Sequence, residues 1–235
     1  MWESQVDGRA LRFHLAGINN QNFIMRDEET GSWWQQVTGE AIFGPLKGAR
    51  LRQVYHEELT FATWRGERPE GRVLRPDDTA PWRRFSEDWE AKTAGMPVVT
   101  PADQSDAFAP RDLVVGVALG GESKAYPVAA LQRARAIVDI VGGVPLILVL
   151  GEDDRSIRAF ERVVNGEQTE LFVRPGSSPL RLVDARTGSE WDFEGRATAG
   201  PLAWSGQQLR RLAILQDYWF DWKTYHPDTG VYRLE

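Results

Sequence analysis

The sequence predicts a mainly β protein with short helices (α+β), in which two duplicated β-rich units pack with approximate two-fold pseudo-symmetry. Three observations carry the prediction. One DxxTGS segment occurs twice, the apolar runs are short and bounded by turn residues, and helical periodicity is confined to brief stretches.

The duplication can be followed letter by letter. Asp27-Glu28-Glu29-Thr30-Gly31-Ser32-Trp33-Trp34 is matched later in the chain by Asp184-Ala185-Arg186-Thr187-Gly188-Ser189-Glu190-Trp191. Gly39, Ala41, Gly44, Pro45 and Leu46 recur in nearly constant register as Gly195, Ala197, Gly200, Pro201 and Leu202. Trp64, Pro69 and Val73 then face Trp222, Pro227 and Val231, and the two tryptophans are expected as matched core anchors. Two copies are too few for a solenoid or propeller, which need several stacked units to bury a continuous core, so a paired arrangement is expected. The units span 1–75 and 113–235, and a Pro-rich ordered connector spans 76–112.

The elements follow in order. In the connector, Trp82, Phe85 and Trp89 fit one face of a short helix after Pro81. Segments 114–119 and 123–126 flank Gly120-Gly121 in a hairpin pattern, and 127–133 fits one or two helical turns. Segment 144–150 reads as a buried strand. Segments 160–164 and 169–173 flank Asn165-Gly166, a second hairpin pattern, and 180–183 leads into the second DxxTGS turn. A last short helix is expected over 218–225.

Composition excludes several function classes. A net charge of -6 repels phosphate backbones, so nucleic acid is not an expected partner. The longest apolar stretch, 140–151, contains three glycines and a proline and is well short of the roughly 20 residues that cross a bilayer, so no membrane span is expected. Without cysteine there are no disulfides, thiolate nucleophiles or sulfur-ligated metals. Residues 1–5 carry neither the basic start nor the apolar core of an export signal. The chain is acidic and rich in tryptophan, and large aromatics serve cores, interfaces and sugar platforms alike.

DEETGSWWQQVTGEAIFGPLKGARL, the segment 64–74, VVGVALGGESKAYPVAAL and DARTGSEWDFEGRATAGPL together resemble the uncharacterised prokaryotic domain-of-unknown-function family 3179. The resemblance implies a repeat-built, often exported protein with no established activity. Longer members carry a further segment ahead of the first repeat, with a second AYP-like stretch, a His-Glu pair and a CPxC motif. Here the first DxxTGS unit is entered at Arg12-Phe13 and no cysteine is present, so thiol-dependent activity is not expected of this chain.

The candidate sites divide into turns, histidines, acids and aromatics. Asp27, Thr30 and Gly31, with Asp184, Thr187 and Gly188, are expected to be structural: the Asp side chain accepts backbone N–H bonds while Gly takes a positive φ. His14, His56 and His226 have no metal-binding spacing, so no metal is expected. Segment 116–124 lacks the phosphate-loop pattern, and no cofactor is expected. Trp33, Trp204 and Trp219 have no matching tryptophan in the other unit and are the candidate ligand-binding residues, whereas Trp34, Trp64, Trp191 and Trp222 read as core. The first functional reading is a non-catalytic binding or protein-interaction module with a protein or carbohydrate partner. The second is a polysaccharide-acting hydrolase using a pair drawn from Glu40, Glu190, Asp192, Glu194, Asp217, Asp221 and Asp228. A concave pocket holding two carboxyls of raised pKa would favour the second.

Overall fold

The computed structural model describes residues 1–19, 22–75, 77, 83, 87–98 and 108–233. Among them the protein is mainly β with four short helices. A small hairpin, β1 (Gln5–Val6) and β2 (Arg9–Ala10), precedes the first meander of β3 (Phe13–Asn19), β4 (Asn22–Asp27), β5 (Trp33–Gln35) and β6 (Ala41–Phe43). Helices α1 (Phe61–Glu67) and α2 (Trp89–Ala94) follow. Strands β7 (Leu113–Leu119) and β8 (Glu122–Pro127) form the hairpin around Gly120-Gly121, and α3 (Val128–Ala134) leads from it into β9 (Ala136–Val141), β10 (Val144–Leu150) and β11 (Ile157–Glu161). A two-residue hairpin, β12 (Val163–Val164) and β13 (Glu167–Gln168), precedes the second meander of β14 (Leu171–Val173), β15 (Leu182–Asp184), β16 (Glu190–Trp191) and β17 (Ala197–Ala199). Finally β18 (Arg211–Leu212) joins the edge of β11, β19 (Leu215–Tyr218) pairs with β7, α4 (Trp219–Tyr225) caps that sheet, and β20 (Gly230–Val231) runs parallel to β8.

Burial on both faces explains the unbroken apolar run of β10. Leu146, Leu148 and Leu150 pack with Val115, Val117, Tyr126 and Leu131 of the β7–α3 layer. Ile147 and Val149 point the other way, onto Leu171, Leu182 and Trp191 of the second meander. The sheet β18-β11-β10-β9 is thus the middle layer of three. The first meander has a separate small core, in which Trp34 and Ala41 pack with Leu11 and Leu51 and with the half-buried Trp2, Phe13 and Met25.

Both DxxTGS turns are closed by the same bonds. Asp27 accepts from the Thr30 N–H at 2.5 Å, the Thr30 hydroxyl at 2.9 Å and the Trp34 indole at 2.7 Å. Asp184 accepts from the Thr187 N–H and hydroxyl, each at 2.7 Å, and from the Trp191 indole at 3.3 Å. Gly31 and Gly188 take φ of 72° and 69°, the left-handed region that favours glycine.

Three expectations change. Trp222 is buried in the core, but Trp64 is only half-buried, because α1 buries no residue and Trp64 packs against Phe61 and Gly71 rather than onto a sheet. The hairpin at Asn165-Gly166 has two-residue arms only: Phe160 is fully buried in β11 against β10, and β14 pairs with β15. The middle sheet and the second meander draw both flanks away, so a correct turn does not extend its own strands. Of the helix expected after Pro81, Trp82 and Phe85 lie outside the described residues, while Trp89 is the exposed first residue of α2.

Candidate functional site

A cleft of about 830 Å³ separates the first meander from the β7–β19–α4 layer. Trp2, Phe13, Met25, Gln36, His56 and Glu58 line one side; Gly116, Leu215, Asp217, Asp221, Trp222, Tyr225 and His226 line the other. The second wall follows from its local sequence. Antiparallel pairing of β19 to β7 sets Asp217 opposite Val114, and the chain then turns at Tyr218 into α4. The first amides of α4 are satisfied from outside the helix, Trp219 donating to the Asp112 carbonyl at 2.8 Å and Phe220 to the Pro110 carbonyl at 2.9 Å. Trp222 lies directly over Gly116, where an added Cβ would come within 2.2 Å of the indole, so only glycine leaves room for it. Its indole N–H donates to the Thr229 hydroxyl at 2.9 Å, and the His226 ring stacks on it at 3.8 Å.

The strand-to-helix corner sets the carboxyls of Asp217 and Asp221 together in the cleft wall, close enough for each to shift the other's titration. Burial, then the neighbouring Asp221 charge and hydrogen bond, push the Asp217 carboxyl up to about 8. Asp221 is raised by burial, although bonds from Asn22 and Asp217 pull it back. Two like charges this close raise each other's cost of ionising, so the pair holds on to a proton above the ordinary carboxylate range. Across the cleft, the Asn22 amide of β4 donates to Asp221 Oδ1 at 2.5 Å, and the Gln35 amide of β5 donates to the Tyr225 hydroxyl at 2.5 Å. Burial raises Tyr225 and lowers His226. Glu58, at the rim, is raised by the protein packed around it, against the opposing pull of His56 and the Met1 amine.

The residues singled out from the sequence scatter. Asp27 and Asp184, fully buried with Ser32 and Ser189, direct their oxygens into the turns. Burial pushes Asp27 up, but the bonds from Trp34, Thr30 and Gly31 outweigh it and leave the group below the ordinary carboxylate value. Trp33 is 40% exposed with Phe43 edge-on beside it, Trp204 is 94% exposed on a loop, and Trp219 is 2% exposed with its indole N–H unpartnered. None of the three lines the cleft. Among the described residues no three His, Asp or Glu side chains converge as a metal site. Asp217 and Asp221 were among the candidate acids, but their pairing was not anticipated, nor were Asn22, Gln35 and Tyr225. The available signal was two acids four residues apart around the apolar Trp219-Phe220, a place where a carboxyl has to be buried or paired.

Fold and site together define a mainly β, cysteine-free protein with a proton-sharing acid pair in the wall of a cleft between two β layers. A family model described as a protein of unknown function (DUF3179) matches residues 1–229, and the chain belongs to that family. Neither a curated protein nor a solved structure matches it. Among the described residues no helix is long and apolar enough to cross a membrane.

Proposed function

We propose that the chain is a binding protein whose ligand enters the cleft and is anchored by the Asp217–Asp221 pair. The observation that carries the reading is that Asp217 and Asp221 stand together in the wall of a cleft of about 830 Å³, with Asn22 donating to Asp221 from the facing layer. A neutral carboxyl beside a carboxylate offers a donor and several acceptors, and Trp2, Phe13 and Trp222 supply apolar faces. That combination suits a hydroxyl-rich ligand such as a saccharide better than an anion. A net charge of -6 speaks against nucleic acid. Exposed Trp33 and Trp204 are available to a protein or carbohydrate partner outside the cleft, and buried Trp219 acts by supporting the corner that carries the pair. The matched turn bonds support two duplicated units, 1–75 and 113–235, with 76–112 between them, and the reading places the units about an approximate two-fold axis.

Native mass spectrometry of protein purified from its own host tests the binding reading. A retained small ligand that is lost in Asp221→Ala is the expected result; a ligand retained equally by that variant places binding elsewhere.

The second reading, a hydrolase, is favoured by raised acids in a concave site. Polysaccharide hydrolysis by two carboxyls needs them about 5 to 9.5 Å apart, with room for a sugar bond or a water between them, whereas the carboxyls of the Asp217–Asp221 pair act on each other directly. A hydrolase built on it would instead activate water through a shared proton. Release of reducing ends from a polysaccharide by the wild type, abolished in both Asp217→Asn and Asp221→Asn, would establish that reading.

A further inference from the structure

The two meanders share one cross-strand register but are covered differently. Phe13 and Leu15 of β3 stand opposite Asp27 and Met25 of β4, as Leu171 and Val173 of β14 stand opposite Asp184 and Leu182 of β15. Met25 and Leu182 in turn stand opposite Trp34 and Trp191. Four residues before each turn aspartate, Phe23 matches Leu180. Side chains directly opposite, or two apart along a strand, share a face, so Phe13, Leu15, Phe23, Met25 and Trp34 line one face of the first meander, and Ile18, opposite Phe23, joins them. In the second meander that face is shut under the middle sheet. Leu171, Leu180, Leu182 and Trp191 are buried there with Ile147, Val149 and Phe160, and Val173 packs against them. In the first meander Phe13, Met25 and Trp34 are covered by the small core around Trp2, Leu11 and Leu51, whereas Leu15, Ile18 and Phe23 are open to solvent, Ile18 at 65%. None of these three lines the cleft.

The surface that closes the second meander has an open end of its own. Strand β9 is an edge of the middle sheet, and its Ala136 and Val138 stand opposite Val149 and Ile147, on the face turned to the second meander. Ile140, two residues on, shares that face. Ala136 packs into the core there, but Val138 and Ile140 are exposed, Ile140 at 54%, while Ile137 and Val141 on the reverse face are buried. One molecule therefore carries both an uncovered apolar meander face and an uncovered stretch of the sheet face that covers such a meander. Exposed apolar side chains are ordinary when scattered; grouped on one face they mark a contact surface. We infer that the first meander of one molecule docks on β9 of a second copy, with Leu15, Ile18 and Phe23 packing on Val138 and Ile140. The contact lies outside the cleft and does not depend on what the cleft binds. It is made face to face rather than by pairing strand edges. Pro145 directs its carbonyl to Arg162, away from β9, so Ile140 opposite it turns its own N–H to the free edge, where Asp139 Oδ1 accepts it at 2.8 Å. Asp139 is itself held by Lys124 at 2.6 Å, and a charged, self-capped edge of this kind resists a further strand.

Sedimentation equilibrium of the full chain, without ligand, tests the contact from micromolar to submillimolar concentration. The wild-type mass should rise with concentration from that of one chain toward that of two. Ile18→Glu places an unpaired charge on the meander face and Ile140→Arg places one on the β9 face, and each should weaken self-association by at least about tenfold. An equimolar mixture of the two variants should associate again, because each keeps the surface that the other has lost and the new charges are opposite. Both positions are exposed, so unfolding midpoints should stay near that of the wild type. Phe23→Ser and Val138→Ser, one on each surface, should repeat the single-variant result. A wild type that keeps the mass of one chain throughout would overturn the inference, as would a mixture that fails to associate. Loss of association in Ile140→Arg alone would mean that β9 meets β9, and loss in Ile18→Glu alone that two meander faces meet; either result also overturns it.

Discussion

At single residues, what decides a role is whether the surroundings satisfy the side chain. Trp34 and Trp191 are core because each indole meets both an apolar layer and an Asp acceptor, and the DxxTGS spelling made that much legible. Trp64 and Trp222 share the same spacing to a proline and a valine, yet only Trp222 has a sheet beneath it. Spacing encodes local chain geometry and says nothing about what lies across from it. Trp222→Ala should therefore cost about 3–5 kcal/mol in chemical denaturation through lost burial and a cavity, and Trp64→Ala about 1 kcal/mol. Equal losses would restore the matched-anchor expectation. Asp217 has the opposite signature, a half-buried acid that works against folding. Its proton is held by the folded chain up to about 8 but released by the unfolded chain from 3.8. Between those values the unfolded state binds fewer protons, so stability falls as pH rises and is level above about 8. Asp217→Asn should thus gain on the wild type progressively from pH 4 to 8, read as a widening gap in denaturation midpoints; a constant gap would mean that Asp217 titrates normally.

Among the elements, tight turns were legible and strand partners were not. Gly120-Gly121 fixed the β7–β8 hairpin because a two-residue turn dictates local pairing. Asn165-Gly166 made an equally good turn, but Phe160 belongs to a middle sheet buried on both faces, and long-range burial overrode the local pattern. Helix α1 is clamped by the buried Arg158, which holds Glu57 at 2.7 Å and Glu67 at 2.7 Å. The clamp left no mark in the sequence, since Arg158 is far along the chain from Glu57 and Glu67 and each looks like an ordinary surface charge. Its energetics give a sharp prediction. Arg158→Met leaves two carboxylates facing a buried gap and should cost about 3–5 kcal/mol, measured by denaturation at neutral pH. A loss under about 1 kcal/mol would show that the clamp behaves as a surface ion pair. Thr60→Ala, which removes both the cap of α1 and a donor to Asp153, should cost about 1 kcal/mol.

For the whole molecule, the mainly β class and the two turns could be read from the sequence, because period and turn chemistry are local. The cleft could not, because it is made by residues nearly 200 positions apart, Asn22 against Asp221 and Gln35 against Tyr225, whose identities are unremarkable until the layers are assembled. Asp217 and Asp221 stood among seven candidate acids with nothing to rank them, since the distance between two carboxyls is a property of the fold. The functional reading depends on that one distance and the proton it traps. Carbon-13 labelling of the Asp carboxyls, with Asp217→Asn and Asp221→Asn to assign the signals, follows the pair directly in a pH titration by NMR. One carboxyl should keep its proton through neutrality and titrate near about 8. Two carboxyls that both titrate below about pH 5, as isolated aspartates do, would contradict the proton-sharing pair and with it the cleft as the functional site.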